Sequence, residues 1–379
     1  DRGPGIPDEF KNQIFGKFAQ ADSSDTRSRG GTGLGLSICK AIVEKLGGEI
    51  AFQTGKDGSV FYFDLPEWKE LESAQPKRVS SKPRVLIWKL SAVGDVVLST
   101  PSLRAVRRQF PQSPITLVVG RPAFDAVARC PYLSDIIVYD RTRKDRGLRG
   151  YWSFLRGLQQ RAFDVSIDLQ NSRLTHASAW LAGIGVRVGY RRKLGSLLNR
   201  GVRLPRVVLA PVAHQHHLLR SAGFVTDGEA LEVWPSPMDE AAARRLLPNG
   251  PAEEERPLVG LHPGGSGRWR TKRWDLQRWA ALCDALAERN IRVVITGSPD
   301  EEDLAQRLVG MARSSPLVLV GKTNLMELAC VMKRCEAFVA HDSSPLHVAA
   351  AVGVPTVALF GPTDPPRHLP PTFRGQVIS

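Results

Sequence analysis

The chain has 379 residues, 42% of them apolar and 24% charged, and a net charge of +14. At about 100–200 residues per domain this length predicts two or three globular domains, and apolar residues spread along the whole chain exclude a largely disordered protein. The longest apolar runs, such as Val348–Val352, fall far short of the roughly 20 residues that cross a bilayer, which excludes a membrane-spanning helix.

Positive charge is concentrated in the middle of the chain. Residues 1–66 carry a net charge of −1, whereas residues 141–206 contain 15 Lys and Arg against three Asp, a net charge of +12. A field of one sign and this size attracts an anionic partner, and charge alone leaves nucleic acid, lipid head groups and a phosphorylated substrate open. Because the basic residues are not interleaved with aromatic ones and no nucleic-acid-binding motif is present, we do not expect nucleic acid as the partner.

The cysteines predict neither disulfides nor a metal site. They form no CxxC pair and no cluster with histidine, so they are predicted to be small buried apolar side chains in a reducing cytosol. The chain begins with Asp1 and ends on an apolar, strand-like stretch, and we expect both ends to be truncated. The five cysteines are Cys39, Cys130, Cys283, Cys330 and Cys335.

Residues 1–66 form the first predicted unit. A short helical pattern around Glu9–Phe18 is followed by an amphipathic helix at Ser37–Leu46 and by two alternating strands, Glu49–Thr54 and Ser59–Leu65. A glycine-rich loop precedes the second helix, and bare backbone N–H groups at a helix start suit a phosphate.

Three short motifs of this unit, in the same order along the chain, resemble motifs (boxes) of the ATP-binding domain of histidine kinases. The resemblance implies that Asp1 would bind adenine and that the loop from Gly31 to Gly35 would close over the phosphates. The helix that carries the Mg²⁺-binding Asn and the phosphoacceptor-histidine helix do not precede these boxes. We therefore expect a partial α/β-sandwich without kinase activity of its own, in which ATP is not a working cofactor. The boxes are Asp1-x-Gly3-x-Gly5, the pair Phe15 and Phe18, and Gly31-x-Gly33-x-Gly35.

Residues 67–83 are polar and without periodicity, which predicts a linker. From residue 84 onward, apolar strands alternate with helices, and this alternation predicts parallel α/β sheets. We expect one Rossmann-like domain at 84–235, a connector at 236–257 and a second Rossmann-like domain at 258–379, with a ligand cleft between them. Predicted strands are Val85–Trp88, Ile115–Val119, Ile136–Tyr139, Val165–Asp168, Leu258–Leu261, Val293–Ile295, Leu317–Val320, Ala337–Ala340 and Thr356–Phe360. Predicted helices are Val96–Gln109, Phe124–Ala128, Trp152–Arg161, Leu174–Leu181, Leu276–Glu288, Asp300–Ala312, Leu325–Arg334 and Ser344–Ala351.

Asp95 follows the first of these strands, at the sheet edge where ligands bind in open parallel sheets. A carboxylate there suits the deprotonation of a hydroxyl. The same position is also typical of a residue that caps the helix predicted to begin at Val96, and the residues alone leave both interpretations open.

Polar segments also follow successive strands of the second half. Each segment alone is as typical of a turn or a helix cap as of a binding site. Their repetition at one sheet edge predicts a pocket for a nucleoside diphosphate. The segments are His262-Pro263-Gly264-Gly265-Ser266, Thr271-Lys272-Arg273-Trp274, Thr296–Glu301 and Asp342–His347.

At these residues the chain resembles glycosyltransferase family 9, the heptosyltransferases of the lipopolysaccharide inner core. The resemblance implies a GT-B fold, and an inverting, metal-independent transfer of a heptose or related sugar from an ADP-sugar to a lipid A–core acceptor. The ADP-sugar would be a substrate, and no cofactor is implied. Its motifs are Val85-Leu86-Ile87 with Gly94-Asp95-Val96-Val97-x-x-Thr100-Pro101, His262-Pro263-Gly264, Lys272-Arg273-Trp274, Gly321-Lys322-Thr323, Asp342-Ser343-x-Pro345-x-His347, and Phe360-Gly361-Pro362-Thr363-Asp364-Pro365.

The resemblance also implies a role for each matching residue. Asp95 would be the general base, Lys272 would hold the donor diphosphate with Ser266 as a further phosphate contact, and Glu301 would bind the ribose. Asp342 would bind hydroxyls of the donor sugar, with Ser343, Ser344 and His347 around the sugar and phosphates. Ser344 replaces the glycine usual in the family, and we expect its side chain to narrow the pocket.

The basic region lies in the half that would take the acceptor. Arg191, Arg192 and Lys193 are predicted to contact the anionic acceptor. Together with residues 141–149 they are predicted to lie at the cytoplasmic face of the inner membrane, as a peripheral contact.

The main alternative to a glycosyltransferase is a signalling protein with a kinase-type ATP-binding module and a second module that binds a ligand without catalysis.

Overall fold

The computed structural model of the protein describes residues 6–16, 35–45, 47–55, 58–65, 82–247, 256–265 and 271–379. By its internal contacts the chain divides into two compact units, Asp1–Gln75 and Pro76–Ser379. None of the helices in these ranges is long and apolar enough to cross a membrane.

The first unit contains two helices, α1 (Asp8–Lys11) and α2 (Gly35–Lys45), and a hairpin of β1 (Glu49–Gly55) and β2 (Gly58–Asp64). The two strands are antiparallel, with Glu49 opposite Asp64. Phe15 packs edge-on against Phe52 and Phe61, at ring-centroid distances of 5.9 and 6.3 Å. The first helix is shorter than the predicted Glu9–Phe18, because it ends at Lys11.

The second unit is built on two parallel sheets of six strands each. In the first sheet the order is β5-β4-β3-β6-β7-β8, and in the second it is β11-β10-β9-β12-β13-β14. The strands of the first sheet are β3 (Val85–Trp88), β4 (Ile115–Gly120), β5 (Asp135–Tyr139), β6 (Val165–Asp168), β7 (Val186–Tyr190) and β8 (Arg200–Val202). Those of the second are β9 (Leu258–His262), β10 (Arg292–Ile295), β11 (Leu317–Val318), β12 (Ala337–His341), β13 (Thr356–Leu359) and β14 (Gly375–Ile378).

Eleven α-helices of the second unit lie within the described residues. They are α3 (Val93–Val97), α4 (Thr100–Gln109), α5 (Gly147–Gln160), α6 (Arg173–Leu181), α7 (Pro211–Ser221), α8 (Pro237–Leu246), α9 (Leu276–Glu288), α10 (Glu302–Met311), α11 (Leu325–Met332), α12 (Ser344–Val352) and α13 (Pro365–His368). Shorter 3₁₀ helices occupy Arg121–Ala126, Gly195–Leu197 and Pro299–Glu301.

Both sheets have the strand order 3-2-1-4-5-6 of nucleotide-binding folds, and the predicted pair of Rossmann-like domains is confirmed. In such a sheet the order in which strands are added reverses between the first and fourth strands, and this switch point is where ligands bind. Here the switch points lie between β3 and β6 and between β9 and β12. One hydrophobic core joins the halves, since Val97 of α3 belongs to the same buried cluster as Val348 of α12.

The predicted helix Val96–Gln109 is wrong, because the segment forms two helices, α3 and α4. The Ser99 and Thr100 hydroxyls donate to the carbonyls of Val96 and Val97, at 2.7 and 2.8 Å. Such bonds compete with helix continuation, and Pro101 is pre-set for the first turn of the new helix.

The cysteine prediction is wrong in one case. Cys130, Cys283, Cys330 and Cys335 are buried, but Cys39 lies on the exposed face of α2. Burial raises the pKa of the Cys130 and Cys335 thiols to about 12, so these two are neutral and unreactive.

Candidate active site

Asp95 lies in the first turn of α3, the helix that follows β3 at the first switch point, and is half-buried. Its Oδ2 accepts a hydrogen bond from the Ala92 N–H at 3.0 Å. Asp95 therefore does cap a helix, but it caps its own helix α3, from the third helical position. The other oxygen, Oδ1, accepts no hydrogen bond from the described residues and can accept one from a ligand.

Helix α3 packs directly against α12 of the second half. The Gly94 N–H donates to Ser344 Oγ at 3.1 Å, and a Cβ at Gly94 would lie only 2.5 Å from His347 Cδ2. Burial lowers the pKa of His347 to about 4, so its imidazole is neutral at pH 7. This contact brings the two switch points together. It also gives the Ser344 hydroxyl a partner in the opposite half of the unit.

We expect Gly94→Ala to destabilise the protein by about 1–3 kcal/mol, because overpacking a tight contact costs that much. The new methyl group would press on His347 and lie 3.3 Å from the Ser344 Cα. Chemical denaturation measures the change in the free energy of unfolding. Gly157→Ala in α5 is the matched control, because a Cβ there meets nothing within 4 Å. Equal stabilities of the two variants would contradict close packing of α3 on α12.

Asp342 follows β12 and is the centre of a polar cluster at the second switch point. Lys272 Nζ lies 2.6 Å from its Oδ2, Thr363 Oγ1 donates to the same oxygen at 2.9 Å, and His368 Nδ1 lies 3.8 Å away. Burial disfavours charge on Asp342, but the bonds from Lys272 and Thr363 outweigh it and lower the pKa of its carboxyl. Oδ1 accepts no hydrogen bond from the described residues. The sequence placed Thr363 in a motif without a role and gave no signal for His368, because the approach of both residues to Asp342 depends on tertiary packing.

His341, the last residue of β12, fixes the loop after β9. Its Nε2 accepts from the Trp274 N–H at 2.8 Å, so Nδ1 carries the proton and donates to the Gly264 carbonyl at 3.0 Å. The Arg273 guanidinium donates to the Gly265 carbonyl at 2.7 Å. These bonds place the loop next to Lys272. No sequence signal separated His341 from an ordinary strand residue.

Glu301 is buried beneath the same loop. One carboxylate oxygen accepts from the Gly265 N–H at 2.5 Å and the other from the Ser298 N–H at 2.8 Å. Burial disfavours charge here too, but nearby His262 and the N–H donors outweigh it and lower the pKa of the Glu301 carboxyl. A Cβ at Gly264 would lie 2.1 Å from Glu301 Oε1, so only glycine allows this approach.

The remaining predicted residues that the structure describes lie at or near the two switch points. Ser343 precedes α12, and its hydroxyl donates to the His341 carbonyl at 3.3 Å. Arg191, Arg192 and Lys193 follow β7 and are exposed, and the Lys193 ammonium donates to the Asn171 carbonyl, next to the first switch point, at 3.2 Å.

Other predicted residues lie outside the described part of the chain. These are Ser266 of the second unit, and Asp1, Gly3, Gly5, Gly31 and Gly33 of the first, where Gly35 begins α2. Within the described ranges no group of three or more His, Cys, Asp or Glu could hold a metal ion.

The two halves of the second unit contribute different functional groups to this site. One half presents a carboxylate with a free oxygen, which can take a proton. The other presents a lysine and a carboxylate in contact, which can hold a diphosphate and a sugar hydroxyl. Because α3 and α12 are in contact, molecules bound to the two sides would lie next to each other.

Comparison with known proteins identifies the two parts of the chain. Residues 151–379 match the model of glycosyltransferase family 9 (heptosyltransferase). Residues 1–69 match the model of the histidine kinase-, DNA gyrase B-, and HSP90-like ATPases, as the N-terminal boxes predict.

Individual relatives cover most of the second unit. The chain is 31% identical to lipopolysaccharide heptosyltransferase 1 of Pseudomonas aeruginosa in an alignment 300 positions long, which covers 74% of this chain and 79% of that protein. A family 9 glycosyltransferase from Veillonella parvula superposes with a TM-score of 0.70 at 26% identity, covering 78% and 85% of the two chains. An E. coli heptosyltransferase solved with ADP-2-deoxy-2-fluoro heptose superposes with a TM-score of 0.59 at 25% identity, covering 78% and 92%.

Proposed function

Because the chain belongs to glycosyltransferase family 9, we propose that it transfers a heptose, or a closely related sugar, from an ADP-sugar to an anionic lipopolysaccharide inner-core acceptor. The enzyme is a glycosyltransferase, and the non-catalytic alternative for its second module is thereby set aside. The ADP part of the donor is supported by the E. coli neighbour solved with an ADP-linked heptose analogue.

In this proposal Asp95 is the general base. The acceptor hydroxyl gives its proton to the free Oδ1 of Asp95, and the resulting oxygen attacks the anomeric carbon of the donor. As the new C–O bond forms, the bond from the anomeric carbon to the diphosphate breaks, and ADP leaves. A single displacement of this kind inverts the anomeric configuration.

The leaving diphosphate gains negative charge as the old bond breaks. We assign its stabilisation to Lys272, which would exchange part of its contact with Asp342 for the phosphate oxygens. The proposed reaction therefore takes its positive charge from a side chain, without a metal ion. Ser266 would add a phosphate contact, and Ser343 and His347 would line the sugar and phosphate side.

The two acidic residues of the donor half have different proposed roles. Asp342 would accept a hydrogen bond from a donor-sugar hydroxyl through Oδ1. Glu301 would accept one from the ribose, although each of its oxygens already holds a backbone N–H, because a carboxylate oxygen has a second lone pair. The Glu301 contacts also hold the Gly264–Gly265 turn.

The observation that carries the proposal is the contact of α3 with α12. The Gly94 to Ser344 hydrogen bond joins residues 250 positions apart, and it holds the helix of Asp95 against the helix that follows Asp342. A base and a donor-binding cluster in separate halves of a chain would otherwise have no reason to act on one pair of substrates.

The anomeric configuration of the product tests the mechanism. The full chain is incubated with ADP-heptose of defined configuration and a deacylated lipid A–core acceptor, and the new linkage is assigned by NMR. Inversion is the expected result. Retention of configuration would contradict Asp95 as the base of a single displacement.

We also propose that the acceptor half makes peripheral contact with the cytoplasmic face of the inner membrane. Arg191, Arg192 and Lys193 would attract the anionic acceptor and lipid, at about 1 kcal/mol per basic residue near the surface. The loop after β8 adds an apolar element, since Val207 and Val208 are 66% and 69% exposed and Arg203 and Arg206 precede them in sequence. An exposed apolar pair next to cations is typical of a membrane contact.

We expect the double variant Val207→Glu/Val208→Glu to lower binding to phosphatidylglycerol-containing vesicles at least tenfold in a sedimentation assay. The two carboxylates would be repelled by the anionic surface and would remove the apolar contact. Val225→Glu is the control for a new carboxylate on an exposed valine, because Val225 is 74% exposed but follows α7, outside the loop after β8. Unchanged vesicle binding of the double variant would show that this loop is not the contact.

A further inference from the structure

Lys89 directly follows β3 and lies at the first switch point. Side chains alternate along the strand: Trp88 packs in one buried cluster, whereas Ile87 packs in the core shared with α3 and α4. Lys89 therefore extends the face of Ile87, on the side of the sheet that α3 covers. It is buried, with 8% of its surface exposed.

The Lys89 ammonium has no counter-ion in contact. No described carboxylate lies within 4.0 Å of its Nζ, and no described residue accepts a hydrogen bond from it. Burial lowers the pKa of Lys89, and the charges of Asp95 and Asp168 partly oppose that effect. Both carboxylates are thus within electrostatic range but not in contact. A mostly buried lysine without an ionic partner is costly, and titratable groups perturbed in this way cluster at functional sites.

The two carboxylates that act electrostatically on Lys89 hold other partners. Asp168 already accepts from the Asn171 N–H at 2.6 Å and from the Thr175 hydroxyl at 2.5 Å. Asp95 Oδ2 holds the Ala92 N–H. If Asp95 acts as the base, its remaining oxygen faces the substrate hydroxyl.

Arg192 adds positive charge in the region of Lys89. Burial lowers the pKa of His214, and the charges of His217, Lys89 and Arg192 lower it further, so Lys89 and Arg192 both lie within electrostatic range of His214. Tyr190 fixes this corner, since its hydroxyl donates to the His214 carbonyl at 2.6 Å and its ring lies 4.4 Å from the His214 ring. The corner therefore favours an anion beside Asp95.

We propose that Lys89 binds an anionic group of the acceptor, a carboxylate or a phosphate, and so places the neighbouring acceptor hydroxyl against Asp95. This inference rests on the proposed function. The donor diphosphate is the less suitable occupant, because its proposed ligand Lys272 lies in the second half of the unit, whereas Lys89 follows β3 in the first half.

Equilibrium binding to the full chain, measured by calorimetry without turnover, tests the assignment. The probes are the deacylated lipid A–core acceptor and ADP. We expect Lys89→Met to weaken acceptor binding at least tenfold, to leave ADP binding within twofold of wild type, and to be partly rescued by Lys89→Arg. Lys333→Met, an exposed lysine after α11, is the control. The Lys89→Met variant should melt no lower than wild type, because it removes a buried charge.

The outcomes separate the two proposals. If wild type binds the acceptor and Lys89→Met binds it equally well, or loses ADP binding instead, the Lys89 site is wrong while the proposed function stands. If wild type binds neither probe, the proposed function itself fails, and the Lys89 site falls with it. A phosphatase-treated acceptor identifies the anion: a persistent difference between wild type and Lys89→Met assigns a carboxylate, and its disappearance assigns a phosphate.

Discussion

Asp95→Asn should lower kcat for sugar transfer by about 10²–10⁴-fold, the range for loss of a general base. The amide can still accept the Ala92 N–H, so α3 should keep its first turn. It cannot take the proton of the acceptor hydroxyl. The KM for the ADP-sugar should change little, because the donor cluster lies in the other half. Steady-state kinetics with each substrate varied in turn measures both constants.

Asp125→Asn is the matched control for this substitution. Asp125 is an exposed aspartate of the 3₁₀ helix Arg121–Ala126 in the same domain, and its removal should leave kcat within about twofold of wild type. An Asp95→Asn enzyme that retains more than a tenth of wild-type kcat would show that another group takes the proton.

Lys272→Met should lower kcat/KM for the donor by about 10²–10³-fold, as the loss of one charge-stabilising donor typically does. The substitution removes the cation proposed for the departing diphosphate. It also leaves the Asp342 carboxylate, 6% exposed, without its 2.6 Å ionic partner. ADP affinity should fall as well, and isothermal titration measures it independently of turnover.

A double variant separates these two consequences. Lys272→Met/Asp342→Asn no longer buries an unpaired carboxylate, so it should regain stability relative to Lys272→Met alone but no activity. Recovery of donor turnover in the double variant would mean that Lys272 only neutralises Asp342. Lys333→Met again serves as the control for loss of a lysine.

The strands and helices of the second unit could largely be predicted, and the exceptions have physical causes. Val85–Trp88 and Val165–Asp168 were predictable as short, mostly apolar runs between helices. The strands β7 and β8 were missed, because VRVGY and RGV contain Arg and Gly where buried strands usually carry apolar side chains. The break between α3 and α4 depends on two hydroxyl-to-carbonyl bonds that no hydrophobic pattern records.

The sequence indicated which sheet edges carry the site, but not which side chains contact one another there. Asp95 and Asp342 could be placed because each follows a strand, and family resemblance supplied their expected roles. The Lys272–Asp342 pair joins residues 70 positions apart, which only the folded sheet brings together. Ser344 was expected to narrow the donor pocket. Its contact with Gly94 could not be foreseen, because it depends on how the two halves pack.

Acceptor-dependent release of ADP is the most direct test of the proposed sugar transfer. The full chain is supplied with ADP-heptose, or with UDP- and GDP-sugars, and the free nucleoside diphosphate is measured with and without deacylated lipid A–core acceptor. We expect ADP release that rises at least tenfold when the acceptor is added, and at least tenfold slower release from the other donors. No release from any donor by the folded chain, or release that the acceptor does not change, would contradict it.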